Sequence, residues 1–137
     1  MIITRGDFMA QDMNTQGSKL LIVDDSKVSR MRIRAFFDNH CPSWVVQEAG
    51  SGDEALQLCA SFVPDYVTMD VNMPGISGFE AAPRILAINP LARVVMLTAN
   101  IQESSKQMAA NLQLSFVAKP VTEASLQQAL NFMLVTP

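Results

Sequence analysis

Leu20-Leu21-Ile22-Val23-Asp24-Asp25-Ser26, residues 20–26, passes from four apolar side chains directly into two carboxylates and a hydroxyl. A short apolar run of this kind reads as a strand covered on both faces, as strands are in the middle of a parallel sheet. The pattern returns downstream: residues 66–69 lead into Asp70, 94–97 into Thr98, and 116–118 into Lys119. A further β-rich run lies at 45–48. Segments of helical spacing separate the runs, so the chain reads as βα units, an α/β domain with a five-stranded parallel sheet. The runs at 20–23, 66–69 and 94–97 are nearly continuous in apolar residues and belong at its centre.

The first helix starts at Ser26 as its cap and places Val28, Met31, Ala35 and Phe36 on its apolar face, with Arg30, Arg32 and Arg34 largely elsewhere. His40 reads as a helix-end residue, since no other ligand lies at metal spacing from it. The second helix follows Ser51 and Gly52, with Ala55, Leu56, Cys59 and Ala60 as its stripe. The third follows Gly78 and meets a local conflict at Pro83, which has no N–H to give to the helix. The fourth covers about 104–111. The fifth runs from a Thr122 cap through Leu126, Leu130 and Met133, with Glu123 in the favourable first turn.

The 137 residues suffice for one domain with a single core. A net charge of -3 and a pI near 5.0 supply no basic field for nucleic acid or anionic lipid, so neither is expected as a direct partner. Cys41 and Cys59 lack Cys-x-x-Cys spacing and read as free thiols of a cytoplasmic protein. The nine methionines, Met69 and Met96 on strands among them, read as core filler. No apolar stretch approaches the ~18 residues of a membrane span. Residues 1–18 show no signal-peptide pattern and no periodicity, and read as a disordered lead to a domain at 19–137, with Met9 and Met13 as alternative starts. No linker or output domain is expected after the last helix.

In an open parallel sheet, ligands bind in the crevice outside the carboxyl ends of the strands. Asp24, Asp25, Asp70, Thr98 and Lys119 all fall at that edge. Three carboxylates held close are costly without a cation, and Lys119 alone does not offset them. The set suits a divalent cation beside a phosphoryl group: carboxylates for the metal and as nucleophile, Lys and Thr for phosphoryl oxygens.

Four signatures stand in order: Val23-Asp24-Asp25-Ser26, Met69-Asp70-Val71-Asn72-Met73-Pro74-Gly75, Leu97-Thr98-Ala99 and Phe116-Val117-Ala118-Lys119-Pro120. Together, over about residues 19–134, they resemble the receiver domain of two-component response regulators, the chemotaxis regulator type included. The resemblance implies a flavodoxin-like, doubly wound sheet of order 2-1-3-4-5 with helices on both faces. It implies that Asp70 is the phosphoacceptor. Asp25 would hold Mg²⁺ directly, with Mn²⁺ as an alternative ion; Asp24 would hold it largely through water, and Asp70 and the Asn72 backbone carbonyl would complete the protein's share. Lys119 would pair with the Asp70 carboxylate and then with a phosphoryl oxygen. Thr98 and Phe116 would be the switch pair, reshaping the face of the fourth helix, fifth strand and fifth helix. Asn72 and Asn100 would flank the path of attacking water and tune the phosphoryl lifetime. The Lys119-Pro120 bond would be cis. The implied partners are a histidine kinase or phosphotransfer protein, a protein target or output domain, and a phosphatase.

The implied protein is not an enzyme beyond promoting its own phosphorylation and dephosphorylation. Haloacid-dehalogenase-type phosphatases also use a strand-end Asp, but need a second Asp two residues later, where this chain has Asn72. The other alternative is a pseudo-receiver that keeps the fold as an unphosphorylated interaction module.

Overall fold

The computed structural model describes residues 17–102 and 113–135. Strands β1 (Lys19–Val23), β2 (Val45–Ala49), β3 (Tyr66–Asp70), β4 (Arg93–Thr98) and β5 (Leu114–Ala118) form one parallel sheet in the order β2-β1-β3-β4-β5. The apolar runs of β1, β3 and β4 hold its centre, as their composition requires. β5 begins two residues earlier than the run at 116–118. Around the sheet lie α1 (Lys27–His40), α2 (Gly52–Leu58), α3 (Gly78–Ile88) and α4 (Glu123–Leu134). The helix expected at 104–111 lies outside the described residues. Among the described residues, no helix is long and apolar enough to cross a membrane.

Alternation along the strands builds two cores. Leu20 and Ile22 of β1 face α1 and α4 with Ile33, Phe36, Phe37, Leu126, Leu130 and Met133. Leu21 and Val23 face α2 and α3 with Ala55, Ala81, Ala82 and Ile85. Met69 and Met96 are fully buried, and Cys41 and Cys59 are buried and form no disulfide, as expected. Thr68 is the exception. Its side chain lies between Ile22 and Val95 in register, fully buried, and its hydroxyl has no partner. Thr68→Val removes an unpaired buried hydroxyl at nearly constant shape, and is expected to raise unfolding free energy by about 1 kcal/mol in urea titration.

The face of α1 differs in part from expectation. Phe36 is buried as expected, but Val28 and Met31 are each 59% exposed and Ala35 is also exposed, and Ile33 and Phe37 are buried in their place. Both sets fall at helical spacing beside Phe36, and the sheet takes the one that adds a second aromatic ring, which buries more area. In α2, Ala55 and Cys59 pack as expected, but the helix ends at Leu58 and Ala60 is exposed. Helix α3 passes unbroken through Pro83. Pro83 is exposed, so water can serve the carbonyl that its missing N–H leaves unbonded.

Caps define the helix starts. The hydroxyls of Ser26, Ser51, Ser77 and Thr122 accept from backbone N–H groups three residues on. At the other end of α1, His40 Nδ1 lies 2.9 Å from the Phe36 carbonyl, the helix-end role expected of it.

Candidate functional site

The carboxyl edge of β1 and β3 carries the acidic residues because each strand ends where its apolar run ends. Asp24 follows β1, with its N–H bonded to the Ala49 carbonyl at 3.1 Å and its Oδ1 accepting from Ser26 N–H at 2.8 Å. Asp25, next in the chain, is exposed. Asp70 is the last residue of β3 and is 3% exposed. Asp24, Asp25 and Asp70 each offer a carboxylate oxygen within 4.8 Å of the others.

Lys119 reaches this cluster from the end of β5. Its N–H bonds to the Thr98 carbonyl at 2.8 Å, and its Nζ donates to Asp70 Oδ1 at 2.9 Å. The Lys119-Pro120 peptide is cis, as the resemblance implied. Burial pushes the Asp70 carboxyl above its ordinary value, and the Asp24 charge adds to this, against the opposing pull of Lys119. Burial likewise pushes Asp24 up, with Asp25 adding to it and the Ser26 N–H opposing. Asp24 Oδ2 is buried with no hydrogen-bond partner. An unpartnered buried carboxylate oxygen beside two further carboxylates fits a hard cation that takes oxygen ligands, as Mg²⁺ and Mn²⁺ do. Asp24, Asp25 and Asp70 are the side chains that could hold it.

The loop after Asp70 is open. Asn72 and Pro74 are exposed, and Gly75 sits at a φ of 80°, where a side chain would strain the turn. Gly78 closes the loop from behind, its N–H bonded to the Val71 carbonyl at 3.0 Å. A Cβ there would lie 2.5 Å from the Asp70 carbonyl oxygen, so only glycine lets α3 start this close to the acid. In the sequence Gly78 reads only as a helix start; its position eight residues after Asp70 is the one signal of this closer role.

Thr98 ends β4, one step beyond the Asp70 and Leu97 pair in register, and is 2% exposed. Its Oγ1 accepts from the Asn100 N–H at 3.0 Å. The Asn100 side chain is exposed. Phe116 pairs in register with Met96 and packs, partly buried, against the core on the α2 and α3 side. Three side chains of the nearby surface were not singled out from sequence. Arg30 and Arg34 of α1 both bind Glu48 of β2, and Arg30 also binds the Asp24 backbone. Spacing gave no sign of this, because it depends on β2 lying beside β1.

A doubly wound parallel sheet with an acidic cluster and a lysine at its carboxyl edge defines the class. The family described as response regulator receiver domain matches residues 20–131. The chain therefore belongs to the response regulator receiver family. It is 32% identical to the chemotaxis protein CheY of Thermotoga maritima, over 84% of this chain and 96% of that one. It is 39% identical to a protein-glutamate methylesterase/protein-glutamine glutaminase of Geobacillus kaustophilus over 79% of this chain, but spans only 32% of that relative's length. Among solved structures, chemotaxis protein CheY4 of Vibrio cholerae superposes with a TM-score of 0.74 at 26% identity, covering 84% of this chain and 97% of that one.

Proposed function

We propose that this receiver domain is a phosphorylation switch in which Asp70 takes a phosphoryl group from a phosphohistidine or a small acyl phosphate, with Mg²⁺ bound. The observation that carries the reading is the contact of Lys119 Nζ with Asp70 Oδ1 at 2.9 Å, inside a cluster whose Asp24 oxygen has no partner. An Asp70 oxygen attacks phosphorus, and the bond to the donor's imidazole nitrogen or acyl oxygen breaks, the leaving group keeping the electron pair. Lys119 holds the carboxylate in place beforehand and follows charge onto the phosphoryl oxygens as transfer proceeds. Asp24, Asp25 and Asp70 would hold the cation, with the Asn72 backbone carbonyl as a further oxygen. When bound, the ion supplies positive charge against the carboxylates and the phosphoryl group.

The product adds a charge of about -1.5 to -2 with three acceptor oxygens at one point of the sheet edge. Thr98, on the adjacent strand, turns its hydroxyl from Asn100 to one of those oxygens, and Phe116 repacks into the space released. Phe116 carries no hydroxyl, so its two positions differ in apolar burial. The surface that changes is that of the helix expected at 104–111, which lies outside the described residues, with β5 and α4, and it selects the protein target or output domain. Exposed Asn72 and Asn100, amides without general-base power, set the phosphoryl lifetime by flanking attacking water. The donor is a histidine kinase or phosphotransfer protein in the cytoplasm.

The test is intact mass after incubation with acetyl phosphate, with and without Mg²⁺, on the wild type and Asp70→Asn. A Mg²⁺-dependent gain of one phosphoryl group in the wild type, absent in the variant, is the expected result. No gain in the folded wild type would overturn the switch and leave an interaction module.

A further inference from the structure

We propose that Arg30 is a positioning residue for the cation site, holding the turn that carries Asp24 and Asp25 through the Asp24 backbone carbonyl. The inference rests on the reading that Asp24, Asp25 and Asp70 hold Mg²⁺. Arg30 Nη1 donates to the Asp24 carbonyl at 2.7 Å, and its Nε donates to Glu48 Oε1 at 3.0 Å. Its side chain is 18% exposed, and the planar fork is thus braced on β2 while it grips the turn after β1. That carbonyl belongs to the peptide joining the two aspartates, so its orientation sets how both carboxylates are presented. Two other contacts, Asp24 N–H to Ala49 and Ser26 N–H to Asp24 Oδ1, hold the same turn from other sides.

Arg34 is the control. It lies one helical turn on, donates to Glu48 Oε2 at 2.7 Å and to the Val46 carbonyl at 3.2 Å, pairs with Asp38 at 3.8 Å, and makes no hydrogen bond or ion pair with the acidic turn. Burial raises the Glu48 carboxyl, but hydrogen bonds from Arg34 and Arg30 outweigh it and hold the group below its ordinary value, so the brace is ionised at neutral pH.

Charge and position predict opposite signs. A guanidinium beside Asp24 repels a dication, so its removal tightens Mg²⁺ binding if charge alone matters. If Arg30 positions the turn, its removal weakens binding. The experiment titrates Mg²⁺ into the full chain, without phosphodonor, by calorimetry and by backbone amide shifts. The variants are Arg30→Met and Arg34→Met, which keep most of the apolar stem, and melts in EDTA check folding. Arg30→Met is expected to raise the Mg²⁺ Kd about ten-fold, the size seen when a partner of a metal ligand is removed, and Arg34→Met is expected to leave it unchanged. An Arg30→Met Kd equal to or below wild type overturns the proposal, as does equal weakening by both variants. If Arg30→Met fails to fold, Arg30→Lys replaces it. Its single ammonium cannot hold Glu48 and the carbonyl as a fork does, and a wild-type Kd there overturns the proposal. Wild-type protein that binds no Mg²⁺ removes the cation-site reading itself, and the positioning role with it.

Discussion

Lys119→Ala is expected to slow the phosphorylation of Asp70 by about 10²- to 10³-fold at saturating Mg²⁺, the cost of losing one preorganised charge at the site of transfer. The ammonium is held at 2.9 Å from Asp70 Oδ1 by a backbone that is itself bonded to the Thr98 carbonyl, so little reorganisation is needed as charge moves to phosphorus. The side chain is 29% exposed and belongs to neither core, so the variant should fold. Loss of a cation from an acidic cluster should also tighten Mg²⁺ binding, which separates the two effects. The check is the rate of mass gain with acetyl phosphate beside a Mg²⁺ titration of the same variant. An unchanged rate would mean that Lys119 is a structural counter-charge only.

Asp24→Asn is expected to make the metal-free protein more stable than wild type at neutral pH, by about 1–3 kcal/mol, because it removes a buried carboxylate charge that Lys119 and Arg30 only partly offset. Asp24 is 1% exposed, and burial holds its pKa above the unfolded value of 3.8. The sign follows from proton uptake. A carboxyl with a raised folded pKa binds its proton more readily in the native state, so it penalises stability once pH rises through that folded value, and the penalty vanishes below the unfolded one. The advantage of Asp24→Asn should therefore be largest near pH 7 and shrink toward pH 4. Glu48, whose shift is downward, acts in the opposite sense below its ordinary 4.5, but it is present in both proteins and cancels in the difference. Mg²⁺ at a hundred times its Kd should return about 2.7 kcal/mol to the wild type and less to the variant. Urea unfolding from pH 4 to 8, in EDTA and in Mg²⁺, is the measurement. A variant less stable than wild type in EDTA at pH 7 would show that the Asp24 charge stabilises the fold.

The parts legible in sequence were those decided by short-range pattern. Apolar runs placed β1, β3 and β4 at the centre, and each run ended on the polar residue that the sheet then brings to its edge. Asp24, Asp25 and Asp70 gather, and Lys119 reaches Asp70, because parallel strands put all their carboxyl ends on one side. The face of α1 was legible only at Phe36. Val28, Met31 and Ala35 are spaced around it as well as Ile33 and Phe37, and only the volume available against β1 and α4 chooses between them. Pro83 looked like a conflict because its tolerance depends on facing water. The hold of Arg30 on Asp24 required knowing that β2 is the neighbour of β1, which strand order decides and spacing does not.

Trp44, the single tryptophan, is 6% exposed and stacks between Phe37 at 5.7 Å and Tyr66 at 4.8 Å. It sits where β2 begins, at the end of the sheet away from Asp70, separated from it by about 20 Å of strand. Intrinsic emission therefore monitors the α1 and β2 end of the core and goes dark to events at the acidic edge. Folding can be followed optically at that end, while the proposed cation binding and switching are to be followed with a fluorophore introduced on the opposite rim.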